Sequence, residues 1–338
     1  KKLNLKENSN IIDIGSNDGS FLNFFASKNR KNKIFGIDPS AQVFKKNYKK
    51  KIFLINDFFS KSKLLSFIKK KKLKIRKFSL ITSFAMFYDL LKPNSFCRDI
   101  NNLLSENGLW VSEFSYFPLL LKNLTYDQIC HEHVAYYTLS TFKKIIEKNN
   151  LKIIDFTINE INGGSIEVIC SKKISSHKVK KEKIFNQIKF EKRINHSAYK
   201  RFTHRVDLVK NNIITFLNMN PNQVVGYGAS TKGNVILNHC KITNKNLPLI
   251  CDANKFKINR YTPGSNIKII SKQTMRKLNP EYLFVLIWSF RSEVIKEEIQ
   301  YIKKGGKLVF HLPKFHIINK QNYKKYLNKK INSESYDF

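Results

Sequence analysis

The stretch from Ile129 to Tyr137 concentrates side chains that can do chemistry. It reads ICHEHVAYY and places His131, Glu132 and His133 in a row. Two histidines around a carboxylate suit a metal site, a general base with an orienting partner, or the polar start of a helix. The metal alternative is the weakest, because a zinc site usually takes three or four ligands and the sequence does not supply them. We therefore expect no metal here.

A helix is predicted directly after this stretch. Thr138 is a typical N-cap residue, and Leu139, Phe142 and Ile146 follow it at helical spacing. The histidines then lie in the loop before a helix, where side chains either cap the helix or form a binding site. Both alternatives remain open from these residues alone.

A glycine-containing loop follows the first predicted strand. The strand covers Ile11 to Ile14, Gly15 and Gly19 lie in the loop, and an apolar helix comes next. The spacing is not that of a dinucleotide-binding G-x-G-x-x-G loop, and no Lys-Ser/Thr pair follows as in a phosphate loop. A second strand, KIFGID, ends at Asp38, the position where doubly wound folds bind a ribose diol.

Strands and helices alternate over residues 10 to 115. Further strands are predicted in KIFLIND, KFSLITSF and LWVSEF, with a turn at residues 106–108 before the last of them. This alternation is typical of a parallel sheet with helices on both faces. A ligand would lie across the carboxyl ends of the first four strands.

The second half of the chain predicts a hairpin, a helical stretch and another doubly wound unit. The hairpin turns at Asn162 and Gly163, residues 175–218 form one long helix or two, and strand VVGYG precedes a helix containing Lys232. A helix start with Lys232 one turn in suits a diphosphate, although a domain without a ligand is the alternative. The fold class is α/β, with two doubly wound Rossmann-like domains at 1–172 and 221–338 joined by a helical linker at 173–220.

Composition limits the possible partners. The net charge is +37, but its lysine runs at 69–77 and 178–183 are more typical of solvated surfaces than of a nucleic-acid groove. The abundance of Lys, Asn, Ile and Phe fits an AT-rich coding sequence. The five cysteines form no C-x-x-C pair, which favours a reduced cytoplasmic protein, and no apolar run is long enough to span a membrane.

The motifs IIDIGSNDGSFL and GIDPS resemble the nucleotide-binding half of class I S-adenosylmethionine-dependent methyltransferases. In that family the glycine loop approaches the methionine part of the cofactor, and the acidic residue after the second strand binds the ribose. The resemblance implies that the cofactor residues are Gly15, Asn17 and Gly19 in the loop, Asp38 at the ribose, Asp57 near the adenine, and Ser83 with Phe84 as the floor.

Later motifs make the resemblance more specific. TYDQICHEHVAYYTL, INGGSIEV, VVGYGASTKGN, YTPG and YLFVLIWSF occur in the order found in nucleotide-sugar C-methyltransferases. Those enzymes combine a small N-terminal zinc module, a methyltransferase domain and a C-terminal doubly wound domain. The resemblance implies S-adenosylmethionine as cofactor, zinc only in an N-terminal module that this chain lacks, and a nucleotide-linked keto-sugar as substrate. We further expect a monomer or weak oligomer with neither a nucleic-acid nor a membrane partner.

The resemblance also assigns chemistry to the stretch from Ile129 to Tyr137. Methylating a carbon beside a ketone requires a base, and the resemblance implies that His133 is this base, that Glu132 orients it or contacts sugar hydroxyls, and that Tyr88 faces the substrate. The substrate residues implied in the same way are Tyr126, His131, Tyr136, Asn162, Gly163, Tyr227, Lys232 and Tyr261.

Two positions depart from the family pattern. Relatives often carry Tyr where this chain has Cys130, and some carry His where it has Tyr88. These departures leave the sugar and the methylated carbon undetermined. A nucleic-acid or other small-molecule methyltransferase and a catalytically silent nucleotide-sugar-binding protein remain as alternative functions.

Overall fold

Contacts divide the chain into two compact units. The computed structural model describes residues 8–28, without the side chain of Lys28, and residues 31–337. The first unit contains the residues up to Phe117, Val134–Asn159 and Ser165–Lys192, and the second contains Pro118–His133, Glu160–Gly164 and Arg193–Phe338. This division differs from the predicted boundaries after residues 172 and 220. The reason is that residues 118–133 and 160–164 pack with the C-terminal half although they lie within the N-terminal half of the sequence.

Both units are built from strands and helices in alternation. The strands are β1 (Asn10–Ile14), β2 (Lys33–Ile37), β3 (Ile52–Ile55), β4 (Phe78–Phe84), β5 (Leu104–Ser115), β6 (Leu151–Asn159), β7 (Ser165–Lys172), β8 (Val224–Tyr227), β9 (Leu249–Asp252), β10 (Lys268–Ser271), β11 (Tyr282–Val285), β12 (Lys307–Phe310) and β13 (His316–Ile318). The helices are α1 (Ser20–Lys28), α2 (Lys61–Lys70), α3 (Pro93–Leu103), α4 (Phe117–Asn123), α5 (Leu139–Glu147), α6 (Lys181–Glu191), α7 (His196–Met219), α8 (Thr231–His239), α9 (Lys272–Leu278), α10 (Arg291–Glu297), α11 (Ile299–Lys303) and α12 (Tyr323–Leu327).

The first unit contains a seven-stranded sheet in the order β3-β2-β1-β4-β5-β7-β6. Strands β1 to β5 are parallel, whereas β7 pairs antiparallel with both β5 and β6. The central strands are short apolar runs buried on both faces, as parallel sheets covered by helices require. The predicted parallel sheet over residues 10 to 115 is confirmed.

The second unit contains a six-stranded sheet in the order β10-β9-β8-β11-β12-β13. Strands β8 to β12 are parallel and β13 is antiparallel at the edge. Its core includes Val206, Val209 and Ile213 of α7, which pack with the strands of this sheet. The predicted α/β class with two doubly wound sheets is therefore confirmed.

Local signals placed most elements, and their failures have physical causes. Thr138 caps α5 as predicted, with a reciprocal capping box to Thr141. Residues 106–108 form an irregular part of β5 rather than a turn, because this strand pairs with β4 through a register shift. The helical region from Arg291 to Lys303 is interrupted at Glu298, between α10 and α11. Among the described residues, no helix is long and apolar enough to cross a membrane.

Candidate active site

The loop between β1 and α1 is held in a left-handed conformation. Gly15 and Gly19 have φ values of 79° and 77°, and Asn17 between them has a φ of 44°. Glycine is needed at Gly19 for space as well, since a Cβ there would lie 2.7 Å from the ring of Tyr48. The Tyr48 hydroxyl donates to the carbonyl of Asn17 at 2.6 Å, which fixes the loop. The three residues predicted to line the loop thus share one tight turn at the end of β1.

Asp38 follows β2 and connects this loop to the next strand. Its Oδ2 accepts the backbone N–H of Asn17 at 3.0 Å, and its Oδ1 accepts the N–H and the hydroxyl of Ser40. A carboxylate offers about four acceptor sites. The described residues occupy three of them, so Oδ2 keeps one for a hydroxyl donor. Asp38 could therefore accept a hydrogen bond from a hydroxyl group of a ligand.

The other predicted cofactor residues occupy three different environments. Asp57, after β3, is half-buried and pairs with Lys63 at 2.6 Å, and this hydrogen-bonded ion pair keeps the pKa of its carboxyl below the usual range. The ring of Phe84 packs edge-on against Phe21. The Ser83 side chain is fully buried and accepts the indole N–H of Trp110 at 2.9 Å. Ser83 therefore has no exposed surface, backbone included, that a ligand could contact.

A buried carboxyl lies one residue before the end of β1. Asp13 is 3% exposed and accepts the hydroxyl of Thr82 at 2.6 Å. Burial raises the pKa of Asp13 to about 7, and the negative charge of Asp38 adds to this shift. Asp13 therefore titrates near neutrality inside the first unit.

Two predicted tyrosines also belong to the first unit. The backbone carbonyl of Tyr88 accepts the N–H groups of Val134 and Ala135 at 3.0 and 3.1 Å. These bonds fix the backbone of the two residues that follow His133. Tyr136 is half-buried, with its ring 6.5 Å from that of Phe117.

The histidine stretch divides at the boundary between the units, so His131, Glu132 and His133 belong to the second unit. His131 and Glu132 are exposed, whereas His133 is half-buried. Burial lowers the pKa of His133, and the positive charge of Lys232 lowers it further. A hydrogen bond to the backbone carbonyl of Gln128 and the charge of Glu132 partly oppose this shift. His133 is therefore biased toward the neutral form, which is the form that accepts a proton.

The backbone carbonyl of Asn162 joins Lys232 to the histidine stretch. It accepts the Nζ of Lys232 at 3.2 Å and the side-chain amide of Gln128 at 2.9 Å. Asn162 itself has a φ of 56°, a left-handed conformation that asparagine tolerates. Two predicted substrate residues, Asn162 and Lys232, thus lie in one hydrogen-bonded network with the segment that carries His133.

Asp127 and Trp288 are buried neighbours of this network. Asp127 is 1% exposed and accepts the indole N–H of Trp288 at 2.8 Å. A Cβ at Gly163 would lie 2.8 Å from the Trp288 ring, so this position requires glycine. Burial raises the pKa of Asp127, and the charge of Lys232 opposes that shift. Gly163 is therefore a packing residue of the network.

Two predicted substrate residues are buried in the second unit, contrary to the expected contact with substrate. Tyr227 is fully buried, and its hydroxyl lies 3.0 Å from the carboxylates of Glu297 and Glu298. Tyr126 is 4% exposed and packs against His239. Both side chains point into the core of the unit, which the motif pattern could not distinguish from an outward orientation. Tyr261, in contrast, is 57% exposed.

No metal site is found in the part of the chain that the structure describes. Groups of three or more His, Cys, Asp or Glu side chains in a ligating arrangement are absent from residues 8–28 and 31–337. The five cysteines are free thiols, and Cys130 is the one among them that is not buried.

Sequence reasoning did not assign a role to Tyr48, Asp127, Gln128 or Trp288. Asp127 and Gln128 lie within the quoted motif TYDQICHEH, so their closeness to His133 was a usable signal. Trp288 lies within the quoted motif YLFVLIWSF and Tyr48 in a segment without a recognisable motif, and their contacts with Asp127 and Asn17 are distant in sequence.

Comparison with known proteins covers both units. A family model described as a methyltransferase domain matches residues 2–155, and one described as a C-methyltransferase C-terminal domain matches residues 160–313. C-methyltransferase NovU of Streptomyces niveus is 24% identical over 329 residues, which cover 95% of this chain and 76% of NovU.

Solved structures show weaker similarity. A TehB-like SAM-dependent methyltransferase from Corynebacterium glutamicum aligns with a TM-score of 0.35 and 13% identity, covering 50% of this chain and 83% of that one. The plantazolicin methyltransferase BpumL, solved with SAH, aligns with a TM-score of 0.37 and 13% identity, covering 48% and 76%. Such low TM-scores support no inference about this chain. The two matched domains, and a relative similar along nearly the whole length, place the chain in the S-adenosylmethionine-dependent C-methyltransferases.

Proposed function

We propose that this C-methyltransferase acts on a nucleoside-diphosphate keto-sugar and methylates a carbon next to the ketone. The observation that carries the proposal is the environment of His133. This histidine is half-buried, its pKa is lowered, and one ring nitrogen is engaged by the carbonyl of Gln128. The neutral form of His133 that this lowered pKa favours is suited to take a proton from carbon.

The proposed step begins with the transfer of a proton from the substrate carbon to His133. The carbon–hydrogen bond breaks, its electron pair forms the carbon–carbon double bond of an enolate, and the carbonyl electrons move onto oxygen. S-adenosylmethionine supplies the methyl group, so that the new carbon–carbon bond forms as the carbon–sulfur bond of the sulfonium breaks. The residues that would hold this cofactor are the loop around Asn17 and the carboxylate of Asp38. Glu132 would favour the imidazolium form that His133 adopts after taking the proton.

Several residues keep the roles that the family resemblance implied, as part of this proposal. Tyr136 and His131 would contact the sugar, and Tyr261 is exposed and available to the nucleotide. Tyr88 is only 7% exposed, so its side chain is buried in the first unit and it is no longer proposed as a substrate residue. The proposed substrate residues no longer include Tyr126 and Tyr227, because their side chains are buried within the second unit. Cys130, half-buried beside His131, is proposed to influence which sugar is accepted.

Solvent exchange tests the reaction class. The protein is incubated in deuterated water with a panel of thymidine, uridine and cytidine diphosphate keto-deoxyhexoses. We expect deuterium to enter the carbon beside the ketone of at least one sugar, as read by mass spectrometry and NMR. His133→Ala should abolish the exchange while leaving S-adenosylmethionine binding intact.

The matched control is His196→Ala, at an exposed position on α7. It should exchange at the wild-type rate. Exchange by His133→Ala at the wild-type rate would contradict the assignment of the base. Failure of the wild type to exchange deuterium into any member of the panel would contradict the proposed substrate class.

A further inference from the structure

Lys232 lies in a position that the proposed reaction has not yet used. Its ammonium donates to the backbone carbonyl of Asn162 at 3.2 Å, and this is its one hydrogen bond among the residues that the structure describes. An ammonium has three N–H donors. Two donors of a half-buried cation therefore remain for an acceptor that the described residues do not provide.

The charges around Lys232 indicate what that acceptor is. The buried carboxylate of Asp127 and the thiol of Cys130 act on the ammonium and oppose the effect of its burial. A diphosphate carries two or more negative charges and would have to approach this cation beside the buried carboxylate of Asp127. A neutral carbonyl oxygen that becomes negative only during the reaction avoids this repulsion in the ground state.

We propose that Lys232 is a catalytic residue, whose ammonium donates a hydrogen bond to the ketone oxygen of the substrate and stabilises the negative charge of the enolate. This inference rests on the proposed function. It replaces the diphosphate-binding role that the sequence predicted for the same residue. Removal of the substrate proton places an electron pair on that oxygen, and a fixed cation there lowers the barrier more than it strengthens ground-state binding.

The hydrogen bonds around Lys232 support this assignment. The carbonyl of Asn162 binds both Lys232 and the side-chain amide of Gln128, and the backbone carbonyl of Gln128 binds the ring of His133. The cation and the base are thus connected through three short links within the second unit. Proton removal and charge stabilisation require the base and the cation to be close together, because the carbon that loses its proton and the oxygen that gains the charge are both bonded to the carbonyl carbon.

The same cation also affects the base. The charged and titratable groups that act on His133 are Lys232, which lowers its pKa, and Glu132, which raises it. A nearby ammonium therefore keeps His133 neutral before the reaction. Loss of the ammonium should raise the pKa of His133 and move the acid limb of the rate profile to higher pH.

The test uses the deuterium exchange assay with the same keto-deoxyhexose panel. Lys232→Met removes the charge and keeps the length of the stem. We expect the maximal exchange rate to fall by about 100-fold or more, with little change in KM or in S-adenosylmethionine affinity, since loss of one donor to an oxyanion typically costs about 10²–10³ in rate. The acid limb of the pH profile should shift upward in the same variant.

The matched control is Lys257→Met. Lys257 also donates its ammonium to a backbone carbonyl, that of Ala229, at 2.8 Å, and it also lies near a carboxylate, that of Asp252. It should retain the wild-type exchange rate. A second variant, Asp127→Asn with Lys232→Met, removes the buried carboxylate that the single variant leaves without its cation. It should recover thermal stability but not exchange.

Each other outcome overturns the inference. An increase in KM at an unchanged maximal rate would assign Lys232 to substrate binding alone. Recovery of exchange in the double variant would make Lys232 a structural partner of Asp127. If Lys232→Met exchanges deuterium at the wild-type rate, the inference is contradicted and the proposed function still stands. If the wild type itself does not exchange deuterium, both the inference and the proposed function are contradicted.

Discussion

The two units share a sheet order but differ at the carboxyl ends of their strands. In the first unit β3-β2-β1-β4-β5 are parallel neighbours, and β10-β9-β8-β11-β12 repeat this order in the second. The strands β1 and β8, the first of each sheet in chain order, are followed by a glycine with positive φ, Gly15 and Gly228 respectively. The next strands, β2 and β9, lead to an aspartate, Asp38 and Asp252 respectively. The comparison therefore separates what the architecture requires from what a ligand requires.

The aspartates have different partners. Asp38 is held by backbone and hydroxyl donors and keeps one acceptor site among the described residues. Asp252 interacts with Lys257 at 3.4 Å, and the same ammonium donates to the loop carbonyl of Ala229. In the second unit, Lys257 therefore interacts with the carboxylate of Asp252, whereas in the first unit Asp38 keeps an acceptor site for a hydroxyl. The groups proposed for the reaction of the second unit lie elsewhere, His133 on residues 118–133 and Lys232 on α8.

The largest effect that sharpens this comparison is expected for Asp38→Asn. Replacement of the carboxylate removes a charged acceptor for the ribose, and such hydrogen bonds contribute about 1.5–3 kcal/mol. The affinity for S-adenosylmethionine should fall about 10- to 100-fold, as measured by titration calorimetry.

Asp252→Asn is the matched control in the other unit, and it should leave the affinity within about twofold of wild type. Equal losses in the two variants would contradict the view that one aspartate alone serves the cofactor. Thermal unfolding of both variants separates a loss of binding from a loss of structure.

The sequence predicted the features of this site that depend on neighbouring residues. The ends of β1 and β2, the glycine loop and the position of Asp38 follow from short patterns of apolar residues, glycines and strand ends. Thr138 was recognisable as an N-cap for the same reason, because its hydrogen bonds reach only to Thr141. Local chemistry of this kind can be read from the chain.

The contacts around His133 could not be predicted in this way. Lys232 and Asn162, which are hydrogen-bonded, are 70 residues apart in the sequence, and Trp288 and Asp127 are 161 residues apart. The orientation of Tyr227 was also beyond reach, because a buried parallel strand has apolar neighbours on both faces and the motif does not show which side chains point inward. The family resemblance supplied the list of residues, and the fold determined which of them can reach a substrate.

The two units also contain buried ionisable groups of opposite kind, and the second unit should be the more sensitive to acid. His311 is fully buried, and this burial lowers its pKa to about 3, with a smaller contribution from the charge of nearby His316. The unfolded chain therefore binds a proton near pH 6.5 that the folded chain excludes. Stability should be fully present above this value and fall by about 2 kcal/mol between about pH 8 and pH 5.

Urea unfolding of His311→Leu measures this effect, since the variant should lose the acid dependence assigned to His311. His204→Leu, at an exposed position in the same unit, should keep it. An unchanged acid slope in His311→Leu would assign the dependence to other groups.

Asp13 should give the first unit a dependence of the opposite sign, measured over a narrower pH window near neutrality. The pKa of Asp13 is raised to about 7 by burial, with Thr82 as its hydrogen-bond donor and Asp38 as the nearby charge. Between its unfolded pKa of 3.8 and its folded pKa of about 7, the folded chain binds more protons than the unfolded chain. Stability is therefore lost as the pH rises through this range, by about 1 kcal/mol between about pH 6 and pH 8.

Asp13→Asn keeps an acceptor for the hydroxyl of Thr82 and removes the titration. Its free energy of unfolding should exceed that of the wild type at about pH 8 and approach it at lower pH. Hydrogen exchange followed separately in β1 and β12 would locate each effect, since the Asp13 variant should change protection in β1 and the His311 variant in β12. If both variants changed the pH dependence of protection in the same strand, the assignment of Asp13 to the first unit's response and of His311 to the second unit's response would be contradicted.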